Sequence, residues 1–215
     1  MELNEAWTII TGCTVRADEW YQRGQDRLVA SVQDKMPIIA YKGFPNAKFY
    51  RKKYNIKPSS IFQANEPKFF WMDSSVYLHG DPSIVVAKAE EDGYYFMTNG
   101  GFNAAQECCD KCLEYFKITR DEAEKIPMCS SGFFALDTER HPEILEEWYD
   151  SCAAGAWEGS RLHGGQSDDP RFLHHRQDQS ALSVLIHKHG YKMWDLGLDV
   201  SYHPQENAWI IHGGI

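Results

Sequence analysis

Phe69-Phe70-Trp71-Met72-Asp73-Ser74-Ser75-Val76-Tyr77-Leu78 is an apolar run that carries one carboxylate and closes on a turn at His79-Gly80-Asp81-Pro82. A strand that buries aromatics on its way in and ends on an acid delivers that acid to the edge of a sheet, where ligands of open α/β folds bind. Asp73 is therefore the first candidate functional residue. The plain alternative is an aspartate that only caps a turn.

Working outward from this run, apolar segments alternate between strand and helix periods. Upstream, Trp7 to Thr14 reads as a strand, and Ala17 to Gln33 as a helix with Trp20, Leu28, Val29 and Val32 at helical spacing. Met36 to Tyr41 reads as a second short strand. Ala47 to Tyr54 follows as a short basic helix carrying Lys48, Arg51, Lys52 and Lys53, and Ser59 to Asn65 is irregular. Downstream, Ser83 to Lys88 and Gly93 to Thr98 read as strands, the second turning at Asn99-Gly100-Gly101. Phe102 to Phe116 reads as a helix, and Thr119 with Glu122 forms a capping box for a short helix to Lys125.

Met128 to Leu136 is a small-residue turn feeding a strand, and Pro142 to Cys152 is an amphipathic helix with Ile144, Leu145, Trp148 and Tyr149. Gly155 to Arg171 is a long polar loop without periodicity, the kind that serves as a lid or acceptor segment. Asp178 to His189 is a helix that turns Leu182, Leu185 and Ile186 to the core, and strands at Trp194 to Ser201 and Ala208 to Ile211 close the chain. The alternation predicts an α/β fold with a mostly parallel sheet sandwiched by helices. Neither a repeat nor a linker divides it, so it reads as a single domain.

The 215 residues, 43% hydrophobic and 13% aromatic, suffice for one sizeable core. A formal charge of −9 argues against a nucleic-acid partner, whose binding relies on lysine and arginine displacing counterions. No apolar run reaches membrane-spanning length, and nothing at the N-terminus directs secretion, so a cytoplasmic setting is expected for the chain as it stands. Six cysteines in a domain of this size read as reduced thiols. Zinc binding by Cys108, Cys109 and Cys112 lacks a second pair at ligand spacing.

Four landmarks stand in order: Asp73-Ser74-Ser75, then Cys129-Ser130-Ser131-Gly132, then Arg176-Gln177-Asp178-Gln179, then Trp209-Ile210-Ile211-His212-Gly213-Gly214. Together they resemble the nucleotide-sugar glycosyltransferases of the GT-A fold, a Rossmann-like architecture. They are most similar to the retaining branch of glycogenin and the bacterial lipopolysaccharide galactosyltransferases, and they also look like glycosyltransferase domains of large green-algal viruses. The resemblance spans nearly the whole chain. It implies a nucleotide-binding part at roughly 1–80, an acceptor and catalytic part at roughly 81–215 and, for a viral enzyme, work in the host cytoplasm.

In that family an Asp-x-Asp motif holds Mn²⁺ or Mg²⁺ against the two phosphates of the donor, which an acidic protein needs to bring phosphates into its own field. Asp73 fits the first position, flanked by Ser74, but the third is Ser75, a neutral oxygen. The resemblance therefore throws weight on His212, because a histidine after the last strand completes the metal shell in that family. A plain tail residue is the alternative.

Ser131-Gly132 resembles a turn against which the donor sugar lies, although any tight turn uses such residues. Asp178 and Gln179 resemble the pair beside the donor sugar, the carboxylate accepting from hydroxyls and the amide supporting the oxocarbenium-like centre. Asp178 is equally suited to a helix N-terminus. By the same resemblance Thr11, Gly12 and Cys13 meet the uracil, and Arg51 offers a fork to phosphate. His163, His174, His175 and Arg171 are candidates for acceptor hydroxyls.

The function implied is transfer of a hexose or deoxyhexose from a UDP-sugar to a glycan or glycoprotein acceptor, with a divalent metal and with retention. Two other classes remain open. A nucleotidyltransferase that makes the sugar nucleotide would want a glycine-rich, lysine-bearing loop after the first strand, where Gly12-Cys13-Thr14-Val15-Arg16 has one glycine. A non-catalytic carbohydrate-binding domain is favoured by the serine at Ser75.

Overall fold

The computed structural model describes residues 7–13, 19–32, 35–43, 55–158, 166–195, 200–201 and 210–212. In chain order the elements are β1 (Thr8–Cys13), α1 (Glu19–Val32), β2 (Ile38–Lys42), α2 (Ile56–Ala64), β3 (Lys68–Met72), β4 (Val76–Leu78), α3 (Ser83–Asp92), β5 (Tyr94–Tyr95) and β6 (Thr98–Asn103). They continue as α4 (Ala104–Glu107), α5 (Asp110–Phe116), α6 (Arg120–Ala123), β7 (Pro127–Cys129), β8 (Phe133–Asp137), α7 (Pro142–Ala153), α8 (Asp178–Lys188), β9 (Val200–Ser201) and β10 (Ile210–His212).

The chain divides into two compact units: Met1–Phe96 with Gly132–His141 and Asp195–Ile215, and Met97–Ser131 with Pro142–Trp194. The first unit is a mixed α/β fold. Among the described residues its central sheet has five strands in the order β2-β1-β3-β8-β5. Strands β2, β1 and β3 run parallel, and β8 alone opposes its neighbours β3 and β5. Helices α1 and α2 pack on β1, and α3 on β5. The mostly parallel sheet flanked by helices is the one the alternation predicts.

The core of this sheet is aromatic. Trp7, Phe69, Phe70, Trp71, Phe133, Phe134 and Tyr95 are all buried, with Phe70 stacked on Phe133 at 5.9 Å and Trp7 tilted against Phe70 at 5.1 Å. Such rings bury large areas in a few fixed geometries, so the register of β3 against β8, Met72 opposite Phe133, is held by side chains as well as backbone. A second small sheet in this unit, β4-β10-β9, sets His212 opposite Val76. The other unit carries the antiparallel pair β6 and β7 and the helices α4 to α8.

Several elements differ from the sequence expectation. Ser83 to Lys88 is not a strand but the start of α3: Asp81 Oδ1 accepts the Ser83 N–H at 2.9 Å, and Gly93 ends the helix at φ 79°. Val85, Val86 and Ala89 are the buried residues, so β-branched side chains here serve a helix face. Ser59 to Asn65 is ordered as most of α2, closed by Asn65 at φ 54°. The helix expected over Phe102 to Phe116 is broken, because Asn103 and Gln106 form a capping box that starts α4 and Cys109 is extended before α5.

Asn99-Gly100-Gly101 lies within β6 rather than at a turn, where the pairing with β7 is irregular. On α1 the buried face is Gly24, Gln25, Leu28 and Val32, while Trp20 and Val29 are exposed. The basic segment with Lys48, Arg51, Lys52 and Lys53 lies outside the described residues, as do Ala208 and Trp209 of the last strand.

Gly12 has a packing reason. A Cβ built there would lie 2.6 Å from Ser60 Oγ and 3.0 Å from Ile56 Cγ1, so α2 sits directly on β1. Gly12→Ala is expected to cost about 1–3 kcal/mol, the usual range for overpacking. Urea unfolding of the variant checks this, and an unchanged midpoint would show that α2 yields.

Candidate active site

Parallel neighbours end at the same edge of a sheet, and at one edge of the first unit the ladder opens. Strand β1 pairs with β3 only through Ile10 opposite Trp71, but with β2 as far as Cys13 opposite Lys42. The stretch Thr11-Gly12-Cys13 thus continues beyond β3, and Asp73 follows β3 at the same edge. Because β8 is antiparallel to β3, its leading residue Gly132 arrives there too, and its carbonyl accepts the Asp73 N–H at 2.8 Å. His212, opposite Val76, is brought three residues from Asp73 in register. The carboxyl ends of parallel strands, flanked by a strand of opposite sense, are where α/β folds bind ligands.

The Asp73 carboxylate is one third exposed. Its Oδ1 accepts from the Trp71 indole N–H at 2.8 Å and lies 3.3 Å from Lys57 Nζ. Among the described residues Oδ2 has no protein partner. Lys57 is 8% exposed and sits in the first turn of α2, where the helix dipole adds to its positive field. Sequence reasoning missed it, since Asn55 to Pro58 was assigned to no element. Ser74 is buried, and Ser75 offers its carbonyl to Arg27 Nη2 at 3.0 Å.

No group of three or more His, Cys, Asp or Glu side chains among the described residues converges as a metal site. One carboxylate oxygen, a serine and a strand bearing His212 fit an ion that brings most of its ligands with it, such as one carried by a diphosphate.

Thr11 is fully buried and its Oγ1 has no hydrogen-bond partner among the described residues, while Cys13 donates its thiol to Gln25 Oε1 at 3.3 Å. Burial pushes that thiol up from its ordinary range. Arg51 lies outside the described residues.

The second unit holds the other cluster. Helix α8 begins at Asp178 and Gln179, both buried. Asp178 Oδ2 accepts from Ser131 Oγ at 2.9 Å, and its carbonyl accepts from Trp148 Nε1 at 3.0 Å. The preceding Gln177 has φ 51° and ψ −111°, a sparsely populated region that costs on the order of 1–3 kcal/mol for a residue other than glycine. Strain of this kind is held by surrounding contacts and gathers at functional sites. Gln179 Oε1 accepts from Arg176 Nη2 at 3.1 Å, and Gln179 Nε2 is buried with no partner among the described residues. Ser131 therefore orients the Asp178 carboxylate in addition to lining a turn. The amide oxygen that would face a positive centre is held by Arg176.

The residues proposed for an acceptor have other work. His175 is fully buried, its Nδ1 accepting from Cys109 N–H at 3.2 Å and its Nε2 donating to the Ala156 carbonyl at 3.0 Å. Arg171 is tied to Asp169, Asp121 and Glu124, and it holds the Asp169 carboxyl far below the usual range. His174 lies 3.0 Å from the buried Glu107 carboxylate. His163 lies outside the described residues.

Burial pulls the His175 pKa from 6.5 down to about 4. Between those values the unfolded chain binds a proton that the folded protein refuses. Stability is therefore expected to fall as pH drops from 6.5 to 4, by up to roughly 3 kcal/mol. Urea unfolding across this window should show the slope in the native chain and a shallower one in His175→Gln; equal slopes would contradict it.

In the first unit the fold is an α/β sheet whose ladder opens at the ends of β1 and β3. No protein-family model matches the chain, and no curated protein matches it in sequence. Solved structures do match in fold. The crystal structure of a glycosyltransferase involved in the glycosylation of the major capsid of PBCV-1 is similar over 96% of this chain and 92% of its own, with a TM-score of 0.56 at 13% identity. Mouse xyloside xylosyltransferase 1 in its apo form is similar over 96% of this chain and 97% of its own, with a TM-score of 0.51 at 11% identity. Both structural neighbours are glycosyltransferases, and at this identity the likeness is one of fold.

Proposed function

We propose that this chain is a glycosyltransferase of the GT-A type that moves a hexose or deoxyhexose from a UDP-sugar to a glycan or glycoprotein acceptor, with retention. The observation that carries the reading is the sheet edge in the first unit, which collects Thr11-Gly12-Cys13, Asp73-Ser74-Ser75 and Gly132 and runs His212 past the same turn. The two glycosyltransferase neighbours support it at the level of the fold.

In this reading Thr11, Gly12 and Cys13 offer backbone to the uracil, and Lys57 sets a fixed positive charge toward the phosphates. Asp73, Ser75 and His212 would hold Mn²⁺ or Mg²⁺. Such an ion would supply charge neutralisation for the diphosphate leaving group. Asp178, fixed by Ser131 and Trp148, accepts hydrogen bonds from the donor sugar, with Gln179 beside it.

A second reading, a non-catalytic binding domain, is favoured by Ser75 and by the cation already paired with Asp73. Calorimetric titration of UDP with and without Mn²⁺, followed by assay of donor hydrolysis, separates the two. Metal-strengthened binding with hydrolysis is expected. Absence of both would sink the enzymatic reading.

A further inference from the structure

We propose that Arg27 of α1 is the positioning residue of the turn that carries Asp73 and Ser75, and that it governs cation binding at this edge without touching the ion. The inference rests on the reading of the edge as the metal-bearing one.

Residues four apart on a helix share a face, and along one such face α1 grips the chain that leaves β3. Arg27 Nη2 donates to the Ser75 carbonyl at 3.0 Å, and its guanidinium lies 4.2 Å from the centre of the Tyr77 ring. Four residues on, Ser31 Oγ accepts the Leu78 N–H at 2.9 Å and donates to the Leu28 carbonyl at 2.7 Å. Just past the helix, Lys35 Nζ reaches the Gly80 carbonyl at 3.4 Å.

The contact with Ser75 falls on a decisive peptide. The Asp73 carbonyl accepts the Val76 N–H at 2.8 Å, which closes the turn. The peptide between Ser75 and Val76 is thus held on both sides, its N–H by Asp73 and its carbonyl by Arg27. A bond from a charged donor is stronger than one between neutral groups. Val76 in turn stands opposite His212 in the pairing of β4 with β10. Arg27 therefore fixes the one peptide that joins the Asp73 turn to the strand against which His212 is set.

A guanidinium only donates and carries the sign of the ion, so Arg27 is no ligand for a cation. Its effect passes through the place of the turn. Where the protein supplies few ligands, a displaced turn is not made good by the rest of the shell, and groups that orient ligands are worth about 10- to 10²-fold in metal affinity. Lysine keeps the charge and can donate to the carbonyl, but it offers no plane to lie on Tyr77.

Calorimetric titration of UDP into the full chain, with and without Mn²⁺, tests the proposal. In Arg27→Met the strengthening of UDP binding by Mn²⁺ is expected to fall about tenfold, with metal-free binding unchanged. Arg27→Lys should recover part of the loss, and Tyr77→Leu should show a smaller loss of the same kind. A merely structural role would lower both titrations together. Equal losses with and without the ion, or no loss in Arg27→Met, would overturn the proposal and leave the reading of the edge standing. A native chain whose UDP binding gains nothing from Mn²⁺ defeats that reading, and the role of Arg27 falls with it.

Amide hydrogen exchange of the ligand-free protein gives a second readout. Arg27→Met should speed exchange at Val76 and leave Phe70 of β3 as it is; unchanged exchange at Val76 would overturn the claim that Arg27 holds the turn. Near-UV circular dichroism checks that each variant is folded. Were Arg27→Met to fail to fold, Arg27→Lys and Tyr77→Leu still decide the matter, since a native metal response in both would overturn the proposal.

Discussion

Asp178→Asn is expected to lower turnover of the sugar donor by on the order of 10²-fold or more while leaving UDP affinity nearly unchanged, as for a group that acts on developing charge. The substitution is close to isosteric. Ser131 Oγ, 2.9 Å from Oδ2, can donate to an amide oxygen as it does to a carboxylate, and the Trp148 bond to the Asp178 carbonyl does not involve the side chain. The fold should therefore persist, which near-UV circular dichroism and thermal melting check directly. Steady-state hydrolysis and UDP calorimetry then separate chemistry from binding. An equal loss of UDP affinity would place Asp178 at the nucleotide end of the donor.

Removing the acid at the sheet edge has the second large effect. Asp73→Asn should reduce the Mn²⁺-dependent part of UDP binding by roughly 10- to 10²-fold, the range seen when groups that hold or orient a metal are removed. The asparagine oxygen can still accept from Trp71 Nε1. Asp73→Ala should act likewise on binding, and both variants should cost stability, because Lys57 is almost fully buried and loses a charged carboxylate 3.3 Å away. Breaking a fully buried pair costs about 3–5 kcal/mol, and the exposure of Asp73 reduces that to about 1–2 kcal/mol. Calorimetry with and without Mn²⁺, beside urea unfolding of both variants, resolves the two effects. Binding that stays equally metal-dependent in both would show that the ion is held elsewhere.

Much of the first unit is legible in the chain, because alternation and aromatic runs report burial on a pleated surface. The strands at Trp7 to Thr14, Met36 to Tyr41 and Phe69 to Met72 are all present within a residue or two. The Thr119–Glu122 capping box closes as its spacing demands. The errors have local causes. Val85-Val86 carries a β-rich composition, but Asp81 and Gly93 fix helix ends around it, and such boundaries outweigh the propensity of two residues.

The candidate site was legible where a residue type is rare for its place, as with Asp73 at the end of an aromatic strand. Lys57 was not, since its meaning depends on α2 laying it beside an acid sixteen positions away. The direction of the Gln179 amide was equally hidden. It is fixed by a contact with Arg176, and no spacing rule distinguishes the two faces of an amide.

The central claim is that this fold transfers a sugar from a uridine nucleotide. Proton NMR of a panel of UDP-sugars incubated with the protein and Mn²⁺, following the anomeric signal of each donor, tests it most directly. Loss of one donor signal with appearance of UDP, slowed in Asp178→Asn and stopped by a chelator, is the expected result. An unchanged panel in the presence of the native chain, its fold verified in the same tube, would contradict the account.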